Sequence, residues 1–141
     1  MHEQSTKAHT LASGLSDSPI GLAAWLIEKY TNWTDCGGDV EAVFTRDELL
    51  TWVSAYWFGN CIGSSFAPYA SGGSKPWQRV VAPTASTIFP KHLVNAPPEF
   101  AERFFNVERW EEMPSGGHFA AWEQPDQYST GIRAALILSS D

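Results

Sequence analysis

Three residues of this chain have types and settings suited to chemistry: His118, His92 and Tyr69. His118 stands in "MPSGGHFAAWEQP", directly after Gly116 and Gly117. Glycine adopts backbone conformations that other residues resist, so a sharply turned loop can present this histidine. Loops that follow strand ends are where α/β folds place catalytic side chains. The plainer alternative is a histidine that donates to a backbone carbonyl. His92, in "FPKHL", precedes His118 by 26 residues and falls at a strand-end turn. Two residues so placed can meet at the top of a sheet, although His92 taken alone reads as a surface histidine. Tyr69, in "SSFAPYASGG", carries a phenol that can donate a hydrogen bond to an oxygen gaining charge. Taken alone, it reads as a loop tyrosine with its hydroxyl in water.

Other chemistries lack their residues. No GxSxG elbow, P-loop, dinucleotide glycine fingerprint or HExxH occurs. Asp35, Asp39, Glu41 and Asp47 read as solvated loop and helix-start charges and are not spaced as a metal loop. Cys36 and Cys61 are lone cysteines without metal-ligand spacing, expected as buried or half-buried thiols in a reducing compartment. No cofactor and no metal are expected. The net charge of −7 and the lack of a basic run argue against binding a phosphate backbone, so no nucleic-acid partner is expected. The first residues, "MHEQSTKAHTL", have no signal-peptide apolar core, and no apolar run approaches membrane-spanning length. The expected location is the cytoplasm, with no membrane segment in this chain.

The elements that must position these residues follow from spacing. With 141 residues, 43% of them apolar, the chain can build one modest core. Seven tryptophans and eight phenylalanines suit a thick core or an apolar substrate cavity. Ser18 can cap a helix with Pro19 at its first position, and "PIGLAAWLIEKY" is apolar almost all round, which predicts burial. Gly37 and Gly38 interrupt. Thr45 and Glu48 form a capping box ahead of Leu49, Trp52, Val53, Tyr56 and Trp57, which repeat at helical spacing.

The second half changes period after "YASGGSKP" (Tyr69 to Pro76), which reads as a loop or linker. "RVVAPTAST" predicts a strand, "PPEFAERFF" a short helix and "NVERWEEM" a second strand leading into "PSGGHF". "QPDQYSTGIRAALIL" predicts a helix with Tyr128, Ile132, Ala135 and Leu136 on one face. This order suggests an α/β layer with a helical attachment. Two parallel strands do not make a stable sheet, so the chain reads as part of a larger one. Unpaired strand edges invite self-association.

Several stretches together resemble epoxide hydrolases, most of all the microsomal type. They are "TKAHTLASGLSDSPIGLAAWLIEKYTNW", "FTRDELLTWVSAYWF", "FPKHL" and "EMPSGGHFAAWEQPD", in the family's order. The resemblance covers nearly the whole chain but only the C-terminal part of such an enzyme. It implies an α/β fold, the C-terminal part of an α/β-hydrolase, with a helical cap segment followed by the last core strands and helices and an incomplete sheet. Residues 1–70 then correspond to cap, 71–75 to a linker and 76–141 to core. It also implies a two-step mechanism. An aspartate attacks an epoxide carbon to give an ester while two cap tyrosines bond the epoxide oxygen; a histidine, oriented by an acid, then activates water to release a vicinal diol.

Carried over by position, His118 in "GGHFAA" matches the water-activating base and Tyr69 the second cap tyrosine. His92 falls where the family has Asp or Glu. A neutral histidine there could accept a hydrogen bond from His118 but could not stabilise an imidazolium as a carboxylate does. The family's arginine near the second tyrosine is Ala67 here. The nucleophilic aspartate and the first cap tyrosine would fall upstream of Met1, so this chain is expected to be inactive alone. The resemblance implies a small apolar or aromatic epoxide as the substrate. Two alternatives stay open: a non-catalytic remnant or interaction module, and another α/β-hydrolase reaction such as ester or haloalkane hydrolysis.

Overall fold

The computed structural model describes residues 2–71 and 78–138. It divides into two compact units, residues 1–31 with 39–75, and residues 32–38 with 76–141. The linker expected at 71–75 lies, after Ser71, outside the described residues.

The first unit is helical. Its elements are α1 (His2–Thr6), α2 (Ala8–Asp17), α3 (Pro19–Trp33, whose last two residues pass into the second unit), α4 (Arg46–Gly59), α5 (Ile62–Ser65) and α6 (Ala67–Ala70). The Ser18 hydroxyl accepts the Gly21 N–H at 3.0 Å, so α3 starts where its cap predicts. Leu15, Leu22, Ile62 and Phe66 are buried together, with Trp25, Leu26 and Tyr56 half-buried against them. The burial expected all round α3 is confined to a stripe: Leu22 is 1% exposed but Ile20 is 81% exposed. A helix surrounded on one side only cannot hide every apolar residue it carries.

The capping box forms as predicted. The Glu48 N–H donates to the Thr45 hydroxyl at 3.3 Å, and the Thr45 N–H donates to the Glu48 carboxylate at 2.8 Å. It starts α4, which buries Leu49 and Val53 and ends at Asn60 in the left-handed region, φ 47°. A second aromatic cluster joins Tyr30, Phe44 and Trp52, with ring centroids 5.1–5.9 Å apart. Burial, and then the nearby Tyr56 phenol, push the Tyr30 phenol above its ordinary pKa.

The second unit has the order strand, helix, strand, loop, helix: β1 (Val80–Ile88), α7 (Pro98–Ala101), β2 (Phe105–Glu112), α8 (Ala120–Glu123) and α9 (Pro125–Leu138). Both strands fall within a residue of their expected bounds. The helix expected over 97–105 shrinks to one turn, because the strand conformation begins at Phe105. β1 and β2 run parallel, with Ile88 opposite Glu112, and among the described residues they pair only with each other.

α9 packs on β1 through its smallest residue. Gly131 is buried, and a Cβ there would collide with the Thr87 hydroxyl. Close backbone approach therefore chooses the face of α9 that meets the strand. Tyr128, Ile132 and Leu136, expected on one face, do share it, but that face is exposed, with Leu136 at 62%.

Candidate active site

Parallel pairing decides where the two histidines go. Both strands end at the same edge, so the loops that follow Ile88 and Glu112 leave side by side. The Met113 N–H closes the pair by donating to the Ile88 carbonyl at 2.8 Å. The Lys91 N–H then donates to the Gly116 carbonyl at 3.0 Å and ties loop to loop. Asn95 braces the first loop by donating to the Phe89 carbonyl at 3.0 Å, and the His92 N–H reaches the same carbonyl at 3.1 Å. As a result, Nδ1 of His118 lies 3.2 Å from Nε2 of His92. The pair anticipated from the strand-end positions is formed.

The glycines before His118 have separate tasks. Gly116 sits at φ +110°, where an L side chain is strained, and its missing Cβ would lie 2.7 Å from the Phe89 ring. Gly117 lets another segment pass: a Cβ there would lie 2.6 Å from the Trp33 carbonyl oxygen and 2.9 Å from the Asp35 nitrogen. That segment is residues 32–38, which belong to this unit.

Two carboxylates hold the loop. Glu123, in the one-turn helix α8, accepts from three backbone N–H groups: Asp35 at 2.8 Å, Gly117 at 2.8 Å and Phe119 at 2.9 Å. Asp35 accepts the Gly116 N–H at 3.0 Å. The His118 N–H donates to the Trp33 carbonyl at 2.8 Å. The four amides of residues 116–119 are thus all engaged, which holds in place the turn that carries the His118 ring. Asp35, expected as a solvated charge, is instead a structural acceptor. Its partner is 81 residues away, so no local pattern could expose it. Glu123 had a local signal, a carboxylate one short turn after a Gly-Gly-His run.

His118 is exposed, with aromatic rings beside it. It meets Trp33 and Phe119 edge-on, with centroids 5.2 and 5.1 Å away, and the His92 ring at 5.0 Å. Loss of water against these rings, and then His92, lower the His118 pKa below its ordinary value; Glu123 opposes this. The ring is therefore neutral at neutral pH and carries one lone pair, as a general base requires.

Tyr69 lies in the first unit, on α6. Its N–H donates to the Phe66 carbonyl at 3.1 Å, and the residue is 38% exposed. Among the described residues no cluster of three or more His, Cys, Asp or Glu could hold a metal. No helix among them is long and apolar enough to cross a membrane.

No family model matches the chain. Individual relatives do. Epoxide hydrolase 1 of Sus scrofa is 34% identical over 98% of this chain, which spans 34% of that protein. Juvenile hormone epoxide hydrolase 1 of Ctenocephalides felis is 33% identical over 96% of this chain and 32% of its own length. Among solved structures, juvenile hormone epoxide hydrolase of Bombyx mori matches with a TM-score of 0.85 and 29% identity over 96% of this chain and 38% of that one. Aspergillus niger epoxide hydrolase matches with a TM-score of 0.83 and 29% identity over 98% of this chain and 35% of that one. The chain thus spans about a third of the length of the curated relatives it matches. Over nearly all of its own length, in sequence and in fold, it is a relative of the epoxide hydrolases, corresponding to a C-terminal part of their α/β-hydrolase fold.

Proposed function

We propose that this chain is the water-activating portion of an epoxide hydrolase. Residues upstream of its match supply the nucleophile. In this reading a carboxylate oxygen attacks an epoxide carbon, the C–O bond breaks, and the leaving oxygen takes a hydrogen bond and then a proton from the Tyr69 phenol. His118 removes a proton from water as the water oxygen attacks the ester carbonyl, and the ester collapses to a carboxylate and a vicinal diol. His92 occupies the orienting position beside His118. The aromatic lining around His118 favours an apolar or aryl epoxide.

One observation carries the reading. A histidine with a lowered pKa stands on a loop whose four backbone amides are bound, with its Nδ1 facing a partner side chain. Nothing in an ordinary surface histidine calls for that construction. In this reading the nucleophilic carboxylate comes from another part of such an enzyme, so the chain alone forms no ester and turns over nothing.

Two measurements test this. The purified chain, mixed with styrene oxide, yields no diol above the uncatalysed rate. Grafted in place of the corresponding third of Aspergillus niger epoxide hydrolase and carrying His92→Glu, so that an acid orients His118, it gives a chimera that forms diol, and His118→Ala added to that chimera traps the covalent ester. A chimera whose activity ignores His118→Ala would overturn the reading. A remnant that has lost its chemistry predicts a folded chimera with no ester and no diol.

A further inference from the structure

His92 is bonded on both sides of its ring. Its Nδ1 lies 3.4 Å from the Val94 nitrogen, whose N–H donates to it. Its Nε2 lies 3.2 Å from Nδ1 of His118. A backbone N–H can only donate, so Nδ1 of His92 must present a lone pair. A neutral imidazole has one N–H, which is then on Nε2. That N–H points at Nδ1 of His118, which must in turn be the acceptor. The remaining proton of His118 is left on Nε2.

We infer that His92 sets the tautomer of His118 opposite to the one a carboxylate would set, placing the proton on Nε2 and the lone pair on Nδ1. A carboxylate at position 92 accepts only. It would draw the proton to Nδ1 and leave Nε2 bare, facing away from the partner and ready to take a proton from water. With histidine there, the bare nitrogen is turned inward to His92 and the outward nitrogen is a donor. The consequence for catalysis rests on the proposed role of His118 as base. In a serine-protease triad, an orienting group that forces the wrong tautomer costs about 10⁴ in kcat with the geometry intact. A comparable loss is expected here. The Val94 N–H, a group outside any catalytic motif, is what imposes it.

The tautomer is read directly, without substrate and without any other part of an enzyme, so this test stands or falls apart from the epoxide assay. Long-range 1H–15N spectra of the full chain with 15N-labelled histidine, at about pH 8 where imidazoles are ordinarily neutral, distinguish the bare ring nitrogen from the protonated one. The expected result is His118 with a protonated Nε2 and a bare Nδ1. His92→Ala releases it to exchange between both tautomers, and His92→Glu moves the proton to Nδ1. Val94→Pro removes the donating N–H, lets Nδ1 of His92 take the proton, and also shifts the His118 proton to Nδ1. Unchanged amide shifts at Gly116 and Gly117 show that the loop survives in each variant. A wild-type His118 protonated on Nδ1, or one whose spectrum is the same in wild type and His92→Ala, would overturn the inference. The chimera that carries His92→Glu then forms diol two or more orders of magnitude faster than the same chimera with His92 left in place.

Discussion

The two units hold their functional candidates by different means. In the first, apolar side chains from separate helices bury one another, as at Leu15, Leu22, Ile62 and Phe66, and Tyr69 rides on a short helix beside this core. In the second, the turn that carries His118 is held by carboxylates and carbonyls gripping backbone amides. Apolar packing tolerates substitutions of similar volume and fixes position loosely. An amide gripped by a carboxylate has a required direction and distance. A proton-transfer base needs the second kind of support, and it is the histidine loop that has it.

The contrast can be broken most severely at Phe44, which is 1% exposed. Phe44→Ala empties a cluster shared with Tyr30 and Trp52, and should cost about 4 kcal/mol in urea unfolding of the intact chain. The Gly116 and Gly117 amides should shift little. Glu123→Ala tests the other mode. It strands three half-buried N–H groups and should cost about 3 kcal/mol, with loss of hydrogen-exchange protection at Gly117 and Phe119. A cost as small as that of an ordinary surface carboxylate would show that the clamp is ornamental.

Gly117→Ala is expected to cost about 2 kcal/mol, because its Cβ meets backbone atoms of Trp33 and Asp35 that cannot rotate away. The signature is a displaced Trp33 indole resonance. Thr45→Ala removes only the cap of α4 and should cost about 1 kcal/mol, read from the same urea curves.

The smallest effect is titrational. His118 has a lowered pKa in the fold, so below about pH 6.5 the unfolded chain binds a proton that the folded chain resists. Stability is whole above that pH and falls as the pH drops from there towards the lowered folded value. The exposure of His118 to water keeps the loss small. Melting curves between neutral and mildly acid pH should show a shallower acid loss in His118→Gln.

Periodicity and local punctuation made much of the fold legible. The Ser18 and Thr45 caps, the two strands and α9 all stand close to where spacing put them. Each of these is decided within a few residues of itself. The burial of α3 was overestimated because composition reports how apolar a helix is and not what surrounds it. The exposed face of α9 has the same origin. Apolar spacing marks a stripe, but Gly131 against Thr87 determines which stripe touches the strand.

The histidine pair was legible because parallel strands release their loops at one edge, and position along the chain is enough to infer that. The clamp was not. Asp35 and Gly116 are far apart in the chain, and a carboxylate that accepts a distant amide has the same local sequence as one in water.

By itself, then, the sequence determined where helices and strands begin, that two histidines follow adjacent strand ends, and that the stretches around them resemble an epoxide hydrolase. Those features depend on neighbours a few residues apart or on the order of the motifs. Only the tertiary structure decided which carboxylates grip the loop, why Gly117 leaves room for the Trp33–Asp35 backbone, and which proton His118 keeps. Hydrogen bonds act over about 3 Å. The Asp35–Gly116, Asp35–Glu123, Trp33–His118 and His92–His118 partners lie tens of residues apart, and only folding brings them within that reach.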